Sequence, residues 1–161
     1  MTQMFIALGI TAACFAVAML IFRFLGKPQN LGSAAGLNLC GTSPNCVCST
    51  DPRPSHHVEA WSSPFDSEQT VARLADLVRG TPHARISLLE PSGGYLRAEF
   101  RSVLFRFIDD LECLCQPASD QAGGTVIQVR SASRAGHSDL GVNRRRVLAL
   151  REAWAQVLAS R

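Results

Sequence analysis

The sequence predicts an α+β protein: one N-terminal transmembrane helix, then a small two-layer domain with an antiparallel sheet and two helices. Three observations predict it. Met4 to Phe22 is a run of nineteen residues without a charge, about the length that crosses a hydrocarbon core of roughly 30 Å. Two later stretches repeat apolar residues at helical spacing, and between them lie four extended stretches separated by turn compositions. Each such element has one apolar side, and each can bury that side only on the other layer. The division this implies is residues 1–27 as anchor, 28–38 as linker and 39–161 as domain.

Taken in order, the apolar run reads as an anchor rather than a cleaved secretory signal. "MTQ" carries no basic side chain, and "RFLGKPQN" offers no small-residue cleavage site. Arg23 and Lys27 follow the span and nothing basic precedes it, which by itself places the remainder in the cytoplasm. From Gly26 to Ala60 the chain turns to Gly, Pro, Ser and Asn, the composition of tether and ordered loop. A helix is predicted after Pro64, with Asp66 as cap, Gln69 three residues on, and Val71, Leu74, Leu77 and Val78 on its apolar face up to Gly80. "ARISLLE", "YLRAEF", "VLFRFIDDLECLC" and "TVIQVRSAS" give three or four antiparallel strands, broken by "PSGG" and "PASDQAGG". The closing helix runs from about Asn143, a possible cap, with Val147, Leu150, Trp154, Val157 and Leu158 as its stripe.

Charge narrows the function. The chain has 16 Lys and Arg; without Arg23 and Lys27, 14 Arg remain against 13 Asp and Glu. That near-neutral balance gives no expectation of a nucleic-acid partner. No Gly-rich phosphate loop, G-x-S-x-G elbow or H-E-x-x-H helix is present. No cofactor is expected.

The segment "RSASRAGHSDLGVNRRR" has two readings. Arg130, Arg134, Arg144, Arg145 and Arg146, with the hydroxyls of Ser131, Ser133 and Ser138 before a helix N-terminus, are what an anionic ligand needs. The same arginines can instead be held by Glu99, Asp109, Asp110, Glu112 and Asp139, with Asp109, Asp110, Arg130 and Arg134 forming one network across adjacent strands. Gly136, Gly141 and Asn143 fit a tight turn in either case. The structural reading is favoured.

Cys40 and Cys46 close a loop stiffened by Pro44, where a disulfide makes a sensible staple in an oxidising compartment. Alternatively Cys46 and Cys48, with His56 and His57 and the strand pair Cys113 and Cys115, provide soft metal ligands, although their spacing is not that of a zinc ribbon. Pieces for catalysis can be named: Cys46 or Ser138 as nucleophile, His56, His57 or His137 as base, Asp110 or Asp139 to orient it. No spacing fixes their geometry, so no catalytic set is assigned.

Three motifs in order resemble the DUF1499 family. "CGTSPNCVCS" resembles its Cys-Pro-x-Ser-Pro-Asn-Cys-Val-Ser-Ser opening, and "YLRAEFRSVLFRFIDDLE" its Tyr-Leu-His-Ala-Glu, Arg-Ser and Phe-x-Asp-Asp-x-Glu segment. "RSASRAGHSDLGVNRRRV" resembles its Arg-Ser-Ala-Ser-Arg-x-Gly-x-Ser-Asp-Leu-Gly-x-Asn-Arg signature. Gly41, Cys48, Cys113 and Cys115 depart from the family pattern, so the three cysteines inherit no role from it. The resemblance implies a small membrane-anchored or exported protein and supplies no activity. The expectation is a non-enzymatic envelope module, single-pass in the cell membrane with its domain on the extracytoplasmic side, binding anionic lipid headgroups or an acidic protein partner. The alternative is a thiol- or metal-dependent enzyme, or a metal carrier, using Cys46, Cys48 and nearby histidines.

Overall fold

A computed structural model describes residues 9–11, 13–20, 26–28, 30–104, 106–119 and 123–160. Residues 9–11 and 13–20 are helical, with Ile10, Phe15, Val17 and Leu20 exposed. The other residues of the apolar run lie outside the described residues, and among the described residues no helix is long and apolar enough to cross a membrane. The domain follows in the order β1 (Cys46–Cys48), β2 (Trp61–Ser63), α1 (Ser67–Arg79), β3 (Ala84–Glu90), β4 (Tyr95–Arg101), β5 (Ile108–Pro117), β6 (Thr125–Ser133) and α2 (Val142–Ala159). Asp66 caps α1 by accepting the Gln69 amide at 2.7 Å, as its side chain and position predict.

The four long strands form an antiparallel meander, β3 to β6, and every neighbouring pair is also a neighbour in sequence. Two short strands were not anticipated. Both β1 and β2 pair antiparallel with β6, β1 opposite residues 130–132 and β2 opposite residues 125–127, so they lie end to end along one strand's outer edge. Cys46–Cys48 therefore corrects the expectation of loop from Gly26 to Ala60. Three residues are too few for an alternating pattern to stand out; partnership with β6, not local propensity, makes them a strand.

One face of the sheet carries Leu96, Ala98, Phe100, Leu111, Cys113, Cys115, Ile127 and Val129, which pack with Val71, Leu74 and Val78 of α1 and Val147, Leu150 and Trp154 of α2. Period-two alternation sends the intervening residues to the far face. There Tyr95, Glu99, Asp110, Glu112 and Arg130 are also buried, and a contact on this face corrects one expectation. Residues 28–38, expected as linker, include a strap that lies on this face: the Gly32 amide donates to Glu112 Oε1 at 2.7 Å, and Tyr95 Oη donates to the Gly32 carbonyl at 3.4 Å. The strap folds on itself through Ser33 and Gly36 and through Asn38 Nδ2 to the Leu31 carbonyl at 2.7 Å. The contact is so close that a Cβ on Gly32 would stand 2.4 Å from the Gly36 oxygen. The domain is thus an antiparallel sheet with two helices on one face, and the strap on the other face belongs to it.

Candidate functional site

The arginine-rich segment is built around Asn143, which is fully buried in the first turn of α2. Its Oδ1 accepts from Ser131 Oγ at 2.6 Å and from Arg146 Nη1 at 2.6 Å. Its Nδ2 donates to the Asn45 carbonyl at 3.1 Å, Ser133 Oγ at 2.9 Å and Asp139 Oδ2 at 2.9 Å. One side chain thereby joins β6, the loop before β1 and α2. Asn143 is not the helix cap that its residue type predicts. Gly141 stands at the cap with φ 77°, a left-handed conformation open to glycine, and Asp139 does the capping, accepting the Gly141 amide at 2.9 Å and the Asn143 amide at 2.7 Å. Burial pushes the Asp139 carboxyl up, but these bonds more than reverse it and hold it below the ordinary value. Asp139, expected to face an arginine, serves backbone amides instead.

The expected single network of Asp109, Asp110, Arg130 and Arg134 is three separate sets: Asp109 and Asp110 point to opposite faces, and on the shared face Arg130 and Arg134 take different carboxylates. On the strap side Arg130, 3% exposed, meets Glu112, 0% exposed, at 2.7 Å, and Tyr95 Oη adds a 2.6 Å bond to the same carboxylate. Arg134 grips Asp110 through Nε at 2.8 Å and Nη2 at 2.7 Å, and reaches Glu99 at 2.7 Å. Burial raises the Glu99 carboxyl, yet its bond to Arg134, followed by the charges of Arg134, Arg85 and Arg101, brings it below the ordinary value. On the helix side Asp109 pairs with Arg146 at 2.5 Å, whose guanidinium also lies 4.7 Å from the Phe100 ring centre. The last two arginines bond carbonyls, Arg144 those of His57 and Ser55 at 2.7 and 2.8 Å, Arg145 that of Leu140 at 2.8 Å. Ser138 Oγ turns inward on its own loop to accept the Leu140 amide at 3.2 Å.

Cys40 and Cys46 are joined in a disulfide, so Cys46 Sγ is not a thiolate ligand or nucleophile in this state. Asp51 and Arg53, which sequence reasoning passed over, hold this loop: Asp51 Oδ2 accepts the Cys40 amide at 3.0 Å, while Arg53 Nη2 donates to the Cys40 carbonyl and to Asp51 at 2.6 Å each. The Arg53 hydrogen bond, partly opposed by burial, drives the Asp51 carboxyl far down. Cys48 is buried, 3.1 Å from Thr50 Oγ1. His56 Nδ1 bonds the Cys46 carbonyl and His57 Nδ1 the Asp51 carbonyl; His137 is exposed. Among the described residues no group of three or more His, Cys, Asp or Glu side chains is arranged to hold a metal ion. Cys113 and Cys115 lie in the core, where burial raises both thiols, Cys115 to about 12; neither is a thiolate at neutral pH.

Beside the disulfide lies an open cleft of about 420 Å³ lined by Asn30, Ser43, Asn45, Cys46, Arg130 and Arg134 among others. Its two cations are already matched by Glu112, Asp110 and Glu99, so it offers hydrogen bonds more than net positive charge. A smaller cavity of about 160 Å³ lies between the β4–β5 turn and the loop before α2, with Ser102, Phe107, Ser138, Asp139 and Val142 in its wall.

The fold and these motifs define a small α+β domain whose signature segment is a hydrogen-bonded latch. The chain matches DUF1499, a protein family of unknown function, over residues 36–154, and it belongs to that family. No curated protein and no solved structure matches it.

Proposed function

We propose that this is a non-enzymatic envelope module, anchored by residues 4–22, that contacts anionic lipid headgroups through Arg144 and Arg145. The observation that carries the reading is the division of labour among the arginines. Arg130, Arg134 and Arg146 are neutralised by carboxylates, whereas Arg144 and Arg145 bond only carbonyls among the described residues and keep their charge for a partner. Each cation near an anionic surface contributes about 1 kcal/mol, and a tether makes so weak a contact effective through local concentration. The uncharged run of residues 4–22 supplies the tether. The Cys40–Cys46 disulfide supports an extracytoplasmic domain, since such bonds persist in oxidising compartments; it outweighs the two basic residues, Arg23 and Lys27, that argue for the cytoplasm.

Native mass spectrometry of the gently extracted full chain tests this. Bound anionic phospholipid is expected, reduced in Arg145→Glu and in the Arg144→Ala, Arg145→Ala double variant. Phospholipid bound equally by parent and variants defeats the headgroup reading. A stoichiometric metal lost on Cys46→Ser supports the thiol alternative instead. For sidedness, an alkaline phosphatase fusion after Arg161 is expected to be active; an inactive fusion, with a glowing fluorescent-protein fusion at the same site, places the domain in the cytoplasm.

A further inference from the structure

Apolar side chains that a lone domain has no reason to expose crowd one end of the sheet. Val103 and Leu104, in the β4–β5 turn, are 73% and 79% exposed, and Leu140, in the loop before α2, is 85% exposed. Leu140 also sits at φ 53°, a conformation in which a non-glycine residue is strained. The turn and the loop are neighbours, since Ser102 and Phe107 of one and Ser138 and Asp139 of the other wall the same cavity. Arg106 and Arg145 are exposed beside these residues in sequence. Exposed aliphatic side chains with arginines near them in sequence match a membrane interface, where hydrocarbon lies just beneath charged headgroups.

The N-terminal chain reaches the domain at this same end. Arg134 Nη1 donates to the Gly26 carbonyl at 3.4 Å, and the Arg134 amide donates to the carbonyl of Ile108, the first residue of β5 after the apolar turn. If residues 4–22 span the bilayer, as proposed above, four residue steps separate Phe22 from Gly26, at most about 14 Å of chain. The anchor then keeps this end of the domain within that reach of the lipid.

We infer that Val103, Leu104 and Leu140 form a second membrane contact, an apolar tip that enters the interfacial region of the bilayer and fixes the domain's orientation. The inference rests on the anchor reading but makes a separate claim. Its test uses the full chain in proteoliposomes, with Leu104→Trp and Val103→Trp as probes and Ser92→Trp, in the β3–β4 turn at the opposite end of the sheet, as control. All three sites are exposed, so folding should not suffer, which a thermal melt verifies. Trp61 and Trp154, both buried, give a constant background.

Blue-shifted emission at 103 and 104, quenched by brominated acyl chains, with Ser92→Trp unaffected, is the expected result. Equal quenching at 92 and 104 overturns the tip, as does none at 103 and 104 in a chain that resists carbonate extraction; in the latter case the anchor survives. A blue shift without lipid quenching means that protein, a second copy or another partner, covers these residues, and the inference is wrong. Release of the chain by carbonate removes the anchor reading and this inference with it.

Discussion

Glu112 shows how much one residue carries. It is fully buried and accepts from the Gly32 amide, Tyr95 Oη and Arg130 Nη1, so its removal leaves a guanidinium without counter-charge and the Gly32 amide without its acceptor. Glu112→Ala should cost on the order of 3 to 5 kcal/mol in urea unfolding at neutral pH. Replacing both partners, Glu112→Leu with Arg130→Met, should cost less than the two single changes added together, because no orphaned charge remains. Two carboxyls couple the fold to acid. Glu99 and Asp139 ionise at lower pH in the folded chain than in the unfolded one. Their contribution is therefore complete above the ordinary carboxylate range and disappears as pH falls through the depressed values. The melting temperature should fall on acidification from pH 5 to pH 3, and by less in Asp139→Asn than in the parent. An equal fall in both would show that Asp139 is not one of the responsible groups.

Among the elements, the two helices differ in how they start. Asp66 caps α1 with one hydrogen bond to Gln69, and Asp66→Ala should cost about 1 kcal/mol. Asp139 holds two amides at the start of α2 and also the Asn143 side chain that latches the helix to β6. Asp139→Ala should accordingly cost about 2 kcal/mol, and equal midpoints for the two variants in chemical denaturation would contradict the latch. The same comparison shows what the sequence made legible. α1 and the four long strands announce themselves because cap, periodicity and turn residues are all local. The pairing of acids and arginines across β5 and β6 was legible in kind, but which acid meets which arginine depends on the facing of alternate residues: Asp109 goes to Arg146 and Asp110 to Arg134. The role of Asn143 was not legible, since its partners Asn45 and Ser133 stand 98 and 10 residues away and only the closed fold brings them together. β1 and β2 were missed for the same reason, their pairing with β6.

At the scale of the whole molecule, the strap decides where the folded unit begins and how the domain is joined to whatever precedes it. A Gly- and Asn-rich stretch has the composition of a flexible linker, but here its backbone supplies a donor to the buried Glu112 and its fold covers the polar face of the sheet. Without it, Tyr95, Glu112 and Arg130 would meet water, and the ion pair would weaken to a surface interaction. A chain shortened to begin at Leu39 should therefore unfold at markedly lower urea than one shortened to begin at Gly26, by roughly 2 to 4 kcal/mol. Gly32→Val within the longer form should move it toward the shorter one, because the new side chain would overlap the Gly36 carbonyl. The Cys40–Cys46 bond closes only a short loop at the strap's end and should add about 2 kcal/mol by restricting the unfolded chain. Reduction should lower the midpoint of both forms by similar amounts if strap and disulfide act independently. Equal midpoints for the forms beginning at 26 and 39 would mean that the strap is a tether after all, free to let the domain turn relative to whatever precedes it. A clear difference would mean that the domain is docked on its own leader, so that an anchor before Gly26 would set the orientation of the sheet and of the apolar tip at its end.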